Sequence, residues 1–390
     1  MPLPRRTLTV ATLGTTQTLA WASSYYLIAM LAAPMARDMG VAPATPFAAF
    51  SAALLVSAAL GPQAGKAIDR FGGRPVLLAS NAIFAAGLLA LAYAGSTVGF
   101  FLAWAVLGLG MGCGLYEAAF ATVVRLYGRD ARGAITGITL FAGFASTVGW
   151  PLTTWLEAHW GWRGACLAWA GLHLALALPL NASLPRAPDP PAAPVPADLP
   201  ATAAPENAAT GKTALLLAWV FAATWCTSTA MAAHLPALLL AAGTTLAGAV
   251  SIAALVGPAQ VAGRLLEFGF LKRAGPLLSA RLATLAHPLG VVLLLLAGTP
   301  AAAVFAVLHG MGNGIMTIAI GTLPLVLFGP AGYGRRQGLL MVPARVLQAG
   351  APFLFGLAVE RWGVWALCLT AALALSGCLA LLLVSPRREP

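Results

Sequence analysis

The sequence contains very little charge for its length. Only 8% of its 390 residues are charged, whereas 60% are hydrophobic. A soluble domain carries roughly 25% charged residues, so this composition excludes an ordinary soluble protein and indicates an integral membrane protein. The 22 basic residues outnumber the 11 acidic ones, but they are scattered through short stretches between apolar runs. Because they form no basic patch interleaved with aromatic residues, we do not expect nucleic-acid binding.

The residues that would support enzyme chemistry are also scarce. The five cysteines fall within apolar runs and show no metal-site spacing, so we expect small core residues rather than disulfides or ligands. Neither H-E-x-x-H nor G-x-S-x-G occurs. The segment Ala209–Thr213 ends like a phosphate-binding loop, but Glu206 stands where its first glycine should be. We therefore expect no enzyme activity, no cofactor and no metal.

Long apolar runs dominate the chain. A bilayer core is crossed by about 20 apolar residues in a helix, and twelve runs of suitable length can be counted. The sequence therefore predicts an all-α integral membrane protein with twelve transmembrane helices. The runs are Leu8–Ala36, Pro46–Gly65, Pro75–Ala94, Val98–Val123, Gly133–Leu156, Trp162–Leu180, Thr213–Ala242, Leu246–Gly269, Pro276–Ala297, Ala301–Phe328, Gly338–Val359 and Val364–Val384.

The loop charges predict the orientation of these helices. Most lysines and arginines lie at the ends that share a side with both termini, and only Arg37, Arg163 and Arg361 lie at the opposite ends. Since basic loops stay in the cytoplasm, we expect both termini there, in a bacterial inner (cell) membrane. Tryptophans at the outer ends of four runs are typical of an interfacial belt: Trp155, Trp160, Trp162, Trp362 and Trp365.

The chain divides into two similar halves. Residues 182–212 are rich in proline and alanine and have no apolar period, which predicts a cytoplasmic linker between six-helix bundles at 1–181 and 213–390. Three segments recur in the same order in both halves, so we expect a duplicated unit with two pseudo-symmetric bundles. They are Val106–Gly114 with Val307–Gly314, Glu157–Gly161 with Glu360–Gly363, and Trp21–Ser24 with Trp225–Ser228.

A charged stretch, 61–74, separates the second and third runs. It contains the pattern G-x-x-x-D-R-x-G-x-R, made by Gly65, Asp69, Arg70, Gly72 and Arg74. Such charges cannot lie unpaired in hydrocarbon, which predicts a short, tightly turned loop at a membrane face. The pattern resembles the signature loop of the major facilitator superfamily. That resemblance implies the major facilitator fold, secondary transport by alternating access, and a gating role for this loop.

Runs four to six resemble a narrower branch. The glycine-rich Gly108–Gly114, with Arg125–Gly133 and Gly161–Gly164, is similar to the monocarboxylate and oxalate:formate carriers. The acidic-glycine-aromatic motif of monocarboxylate carriers is absent from run one, where Thr18–Tyr26 stands instead. Many proton-linked drug antiporters carry an arginine in run four, and Trp104 occupies that place.

Three charged residues lie well inside the runs: Glu117, Arg264 and Arg345. Each is eight or nine residues from a loop arginine or lysine, about 12–14 Å along a helix. They therefore share a layer at or just below the middle of a core about 30 Å thick. Paired guanidinium donors match both oxygens of a carboxylate. Oxalate:formate carriers place basic residues on the eighth and eleventh helices, so the resemblance implies that Arg264 and Arg345 bind substrate, with Glu117 as counter-charge and candidate proton carrier.

Other interpretations of these charges stay open. Arg264 and Glu267 are three residues apart and can pair on one helix face. Aligning Gly263–Glu267 with Gly65–Asp69 would place Arg264 in a cytoplasmic gate. Aligning Gly269–Gly275 with the signature loop leaves Arg264 deeper, and we favour this alignment because Lys272 and Arg273 then mark the loop. Glu117 can instead pair with Arg125.

Five polar residues inside the runs are further candidates for the substrate site: Tyr25, Tyr26, His309, Asn313 and Gln348. We expect His173 and His287 to have core roles. The sequence therefore predicts a monomeric carrier in the lipid bilayer for a small anionic molecule such as a monocarboxylate, with proton symport. The alternative is an efflux carrier for amphipathic drugs or metabolites.

Overall fold

The computed structural model describes residues 5–42, 44–186, 208–271 and 275–384. Throughout these ranges the regular secondary structure is helical, and they contain no strand. Most of the expected linker, from 187 to 207, lies outside the described residues. So do Lys272 and Arg273. The all-α fold predicted from the composition is confirmed.

The first half of the chain contains nine α-helices within the residues that the structure describes. A 3₁₀ turn at Gly128–Ala131 and a π-helical segment at His173–Ala177 connect some of them. The helices are α1 (Arg5–Ala22), α2 (Leu27–Met39), α3 (Thr45–Phe71), α4 (Gly73–Ala92), α5 (Thr97–Gly114), α6 (Tyr116–Tyr127), α7 (Arg132–Ala142), α8 (Ala145–Leu172) and α9 (Leu178–Ala182).

The second half contains seven α-helices within its described residues. They are α10 (Ala208–Ala241), α11 (Leu246–Ala254), α12 (Val256–Gly269), α13 (Pro276–Ala297), α14 (Ala302–Phe328), α15 (Tyr333–Trp362) and α16 (Leu367–Leu382). Within the described ranges, 7 helical segments are long and apolar enough to cross a membrane. This number is below twelve because some predicted runs are broken in the middle, and because one segment, Thr97–Ala182, covers runs four to six.

Two of the breaks lie beside each other in the first half. Run one is interrupted between Ala22 and Leu27. Run four is interrupted at Leu115, whose backbone is extended with φ −87° and ψ −165°. A break frees backbone carbonyls that lipid cannot satisfy. Gln17 meets this need by donating from Nε2 to the Gly114 carbonyl at 2.7 Å.

Small residues let helices of the same half touch through their backbones. A Cβ on Gly108 would lie 2.4 Å from the Ala53 carbonyl oxygen, so α5 rests directly on α3. A Cβ on Gly314 would lie 2.2 Å from the Gln260 carbonyl oxygen, so α14 rests in the same way on α12. These contacts are typical of membrane helix packing.

The glycine contacts also relate the two halves. Gly108 and Gly310 face Ala53 and Val256, while Gly112 and Gly314 face Ser57 and Gln260. Val256 follows Ala53 by 203 positions, and Gln260 follows Ser57 by the same number. The same shift relates Gly72 (φ 81°, ψ 165°) to Gly275 (φ 90°, ψ 149°), each directly before a helix. The alignment of Gly269–Gly275 with the signature loop therefore agrees with the backbone geometry, and Arg264 corresponds to Gly61.

The signature stretch is more helical than the sequence suggested. The expected loop at 61–74 is wrong in extent, because α3 continues to Phe71 and α4 begins at Gly73. Gly72 alone makes the turn, at a positive φ that glycine adopts readily. The end of the molecule that contains Gly72 is called the signature-loop face below. One cysteine also differs from expectation, since Cys368 is exposed rather than in the core.

Each half has hydrophobic clusters of its own. The largest lies in the first half, with Leu325, Tyr333 and Ala349 as additional members from the second. Two further clusters lie in the second half. Helix α15 joins the halves, because it packs against α3 of the first and α10 of the second. The candidate site lies along this junction.

Candidate functional site

An ion pair connects the two halves near the middle of the membrane-spanning runs. Arg345 of α15 donates from Nη2 to Oε1 of Glu117, in the first turn of α6, at 2.9 Å. The side chains are 3% and 16% exposed. Counting residues from the loops predicted that both lie at one depth, and this contact agrees with it. Glu117 therefore pairs with Arg345 rather than with Arg125.

Polar side chains extend this pair across four helical spans. Arg345 Nη1 donates to Gln348 Oε1 at 2.9 Å, and Gln348 Nε2 donates to the Tyr25 hydroxyl at 2.9 Å. Tyr25 lies in the break of run one and contacts Thr229 Oγ1 of α10 at 3.1 Å. Three of the predicted site residues are thus brought together with Glu117 in one continuous network. Its members come from both halves, so movement of one half against the other must stretch or break it.

Aromatic rings line the same junction. Trp21 of α1 and Trp225 of α10 stack with centroids 5.9 Å apart and planes 5° apart. The Arg345 guanidinium lies 5.4 Å from the centre of the Trp225 ring. Trp21 also contacts Tyr25 at 5.2 Å and Tyr116 at 4.9 Å. Tyr26, the remaining tyrosine predicted for the site, lies 5.5 Å from Tyr25, ring to ring.

Arg264 of α12 is buried, with 4% of its surface exposed. Its Nη2 donates to Gln260 Oε1 at 3.3 Å. Among the described residues, nothing accepts a hydrogen bond from its Nε or Nη1. Its guanidinium packs on the opposite half, because a Cβ on Gly143 would lie 2.1 Å from Nη1. Arg264 therefore lies at the junction between the halves.

Glu267 does not neutralise Arg264. The expected alternative, a pair between these two residues on one helix face, is wrong. Glu267 instead accepts from Arg132 of α7 at 2.8 Å, in a second ion pair between the halves. The Arg132 side chain is 26% exposed and that of Glu267 is 3% exposed. Arg264 therefore keeps a positive charge that no described acidic side chain pairs with.

The signature residues hold the halves together at the signature-loop face. Asp69 accepts from the backbone N–H groups of Gly334 and Arg335, both at 2.9 Å. These groups begin α15, where a carboxylate is favoured by the helix dipole. A Cβ on Gly65 would lie 1.9 Å from the Gly334 carbonyl oxygen. Arg70 lies over the Phe71 ring at 5.0 Å, and Arg74 at the start of α4 is half-buried.

Two predicted site residues lie in a different place. His309 and Asn313 of α14 line a cavity of about 40 Å³ inside the second half, together with His287. Thr370 donates to the Leu367 carbonyl, so it accepts from His287 Nε2 at 2.9 Å. His287 Nδ1 then accepts from His309 Nδ1 at 3.0 Å. This tautomer leaves His309 Nε2 as an acceptor, and the cavity that His309 lines does not include Arg345.

The space beside the Glu117–Arg345 pair is small. Its cavity of about 10 Å³ is bounded by Gly61 and Gly338, where α3 and α15 touch. A single water needs roughly 10–15 Å³ of such space, so an organic anion does not fit there. The described conformation is closed at this level, and a ligand can enter only if the halves move apart.

The comparison with protein families decides the identity of the fold. The sequence matches the family model described as Major Facilitator Superfamily over residues 13–342. The chain belongs to the Major Facilitator Superfamily. It is therefore a membrane transporter. The superfamily membership predicted from the signature pattern is confirmed.

Solved structures of the Major Facilitator Superfamily share this fold. The proton:xylose symporter XylE aligns with a TM-score of 0.73 and 12% identity, over 95% of this chain and 94% of its own. The human organic anion transporter MFSD10 aligns with a TM-score of 0.71 and 15% identity, over 98% of this chain and 100% of its own. At such identities the likeness establishes the fold alone.

Curated relatives match a shorter part. Multidrug resistance protein MdtH from Aeromonas hydrophila and Aeromonas salmonicida is 32% identical over 125 residues. That region is 32% of this chain and 31% of each relative's length. The resemblance to the monocarboxylate and oxalate:formate carriers stays a prediction.

Sequence reasoning missed several residues at this junction of the superfamily fold. The sequence gives no signal for Thr229, and it indicates Trp21 and Trp225 only as markers of the repeat. The Arg132–Glu267 pair was missed because its members are 135 positions apart. The available signal was an acidic residue near the end of run eight facing basic residues at the start of run five.

Proposed function

We propose that the protein is a secondary transporter for a small organic anion such as a monocarboxylate, working by alternating access. The observation that supports this most is Arg264. A buried charge without an ionic partner costs several kcal/mol, yet this guanidinium is buried with two donors, Nε and Nη1, for which no described residue supplies an acceptor. A carboxylate is the natural complement, because it accepts from two guanidinium N–H groups at once.

Arg345 is the second arginine of the proposed site. In the closed conformation Glu117 occupies its Nη2 and Gln348 its Nη1. We propose that an entering carboxylate binds Arg264 and competes with Glu117 for Arg345. Glu117 then loses its counter-charge and takes up a proton, which couples anion entry to proton entry. Tyr25 and Gln348 keep Arg345 oriented during this exchange.

The contacts at the signature-loop face supply the gate in this proposal. Asp69 and Gly65 close α3 against α15 there, and the rocking of one half against the other would separate them. The distribution of lysine and arginine supports a cytoplasmic location for this face and both termini. We place the transporter in a bacterial inner membrane as a monomer.

The decisive experiment is uptake into proteoliposomes of a panel of mono- and dicarboxylates, with and without an imposed pH gradient. We expect saturable uptake of a monocarboxylate that an inward proton gradient stimulates. Arg264→Gln and Arg345→Gln should each abolish this uptake. Arg264→Lys should retain only part of it, since lysine lacks the planar guanidinium that binds both carboxylate oxygens.

Arg281→Gln is the matched control for these variants. Arg281 donates to the carbonyls of Leu381 and Val384 at the end of α16, away from the junction. This variant should keep the wild-type substrate preference. Normal anion uptake by both the Arg264 and Arg345 variants would exclude the proposed site.

A second candidate function is efflux of amphipathic drugs or metabolites. It is favoured by the 32% identity to MdtH over 125 residues. Resistance profiling of an expressing strain tests it directly. If efflux is the function, expression should raise resistance to neutral or cationic compounds, and Arg264→Gln should leave that resistance intact because such compounds need no guanidinium partner.

A further inference from the structure

The stacked pair of Trp21 and Trp225 joins the halves where the proposed anion site lies. Their matched sequence segments belong to the first helix of each half, and their planes differ by only 5°. Ring pairs inside one half, such as Tyr116 with Phe120, can stay together while the halves rock. The tryptophan pair cannot, because its rings belong to parts that separate.

The indole N–H groups of the pair indicate that the two rings have a role in ligand binding as well as in packing. Buried indole N–H groups usually find an acceptor. Neither Trp21 Nε1 nor Trp225 Nε1 has one among the described residues. Together with Nε and Nη1 of Arg264, they form a set of buried, unpaired donors around one junction. A ligand that suits this set brings acceptor oxygens.

The flat faces of the rings restrict the rest of the ligand. Aromatic pairs prefer offset-stacked or edge-to-face contacts, which reward a planar ring more than a puckered ring of equal size. When the halves part, each tryptophan loses the face of its partner. A planar ligand restores that contact, whereas a short aliphatic acid leaves both faces bare.

We infer that the transported anion is a planar aromatic or heteroaromatic monocarboxylate. Its carboxylate binds the arginines, and its ring stacks between Trp21 and Trp225 when these separate. This inference rests on the proposed function, because it assigns a substrate class to the same site. It goes further by making the aromatic pair, rather than the charges, the determinant of specificity.

The experiment compares benzoate with cyclohexanecarboxylate. Both have one carboxylate on a six-membered ring, and only benzoate is planar. Dissociation constants are measured by isothermal titration calorimetry on the purified, detergent-solubilised full chain. We expect benzoate to bind about tenfold more tightly, the size of one or two ring contacts. Equal affinities for benzoate and cyclohexanecarboxylate in the wild-type protein would overturn the inference. This test does not depend on any variant.

The variants locate the preference. Trp21→Leu and Trp225→Leu should each remove it, whereas Trp21→Phe should keep most of it because the ring remains. The control is Trp219→Leu on the same helix as Trp225, since Trp219 is 42% exposed and bonds Ser376. A benzoate preference that survives both leucine variants would contradict the inference.

Failure of the inference can be told apart from failure of the proposed function. If aliphatic and aromatic acids bind equally and Arg264→Gln abolishes both, the anion site stands and only the ring preference is wrong. If no carboxylate binds, or if Arg264→Gln binds benzoate like the wild type, the anion site itself is excluded.

Discussion

Asp69 and Gly334 join the signature stretch of one half to the first turn of α15 in the other. The Asp69 carboxylate accepts from the Gly334 N–H at 2.9 Å, and the neighbouring Arg335 N–H donates to its other oxygen at 2.9 Å. A carboxylate at a helix start is stabilised by both hydrogen bonds and the helix dipole. This interaction favours the conformation in which α3 and α15 touch.

Asp69→Asn should weaken that closed conformation. Hydrogen bonds to a charged group contribute about 1.5–3 kcal/mol, so the ratio of closed to open protein should fall about 10- to 100-fold. The check is the labelling rate by a membrane-impermeant maleimide of a cysteine placed at Ser57, which is buried beside Glu117 and Arg345. Labelling from the signature-loop face should accelerate.

The control for this prediction is Asp130→Asn, which removes an exposed carboxylate from the segment between α6 and α7. It should leave the labelling rate unchanged. Gly65→Ala should act like Asp69→Asn, because its Cβ would meet the Gly334 backbone. Unchanged labelling in both signature variants would show that these contacts do not control the gate.

Glu117→Gln tests the exchange of partners at Arg345. The amide cannot bind or release a proton and competes less strongly for the guanidinium. We expect uptake that an imposed pH gradient no longer stimulates, together with anion binding about tenfold tighter, in line with the loss of a charged competitor. Uptake assays and calorimetry on the same preparation measure both effects.

Glu267→Gln is the matched variant for this prediction. Glu267 also forms an ion pair with an arginine of the other half, but it is not part of the network around Arg345. It should keep the response to the pH gradient. A Glu267 variant that loses this response while Glu117→Gln retains it would reverse the proposed assignment of the proton carrier.

The glycine contacts should contribute equally in the two halves. Gly108→Ala and Gly314→Ala place a Cβ 2.2–2.4 Å from a backbone oxygen, so each should destabilise the protein by about 1–3 kcal/mol. Thermal unfolding in detergent measures this. Gly171→Ala on α8 meets nothing within 4 Å and should be neutral or slightly stabilising. Loss of stability in only one half would argue against equivalent packing.

Asp38 gives a test of pH dependence outside the spans. It accepts from Arg163 and Trp162, and these bonds, that of Arg163 first, lower its pKa below the ordinary 3.8. Because the folded state favours the ionised form, this contribution is present above the ordinary pKa and is lost as the pH falls through the folded-state pKa. As the pH falls below the ordinary pKa of 3.8, Tm should therefore fall more steeply in the wild type than in Asp38→Asn. Parallel curves would show that the Arg163 contact does not stabilise the fold.

The sequence predicted the fold well because lipid imposes strong constraints on composition and length. The apolar runs, the repeat and the signature pattern each follow from a few residue types. Depth was also predictable, since a helix rises about 1.5 Å per residue. Counting from the loops was enough to place Glu117 and Arg345 at one level.

The direction in which a side chain points around its helix axis was not predictable. That direction turns by about 100° from one residue to the next. A break in the helix changes the count, as at Leu115 before Glu117 and at Leu255 before Arg264. His309 and Asn313 therefore seemed equivalent to Gln348 in sequence, yet they line a separate cavity. The partners of Arg132 and Trp21 lie more than a hundred positions away, where no local pattern reaches.

The unpaired guanidinium of Arg264 has an electrical consequence. Glu117 cancels Arg345, and Glu267 cancels Arg132, so the empty junction keeps one net positive charge. A full charge crossing the bilayer changes its energy by about 2.3 kcal/mol per 100 mV. The return of the unloaded protein is therefore set partly by transmembrane voltage, and a bound monoanion removes that sensitivity unless a proton accompanies it.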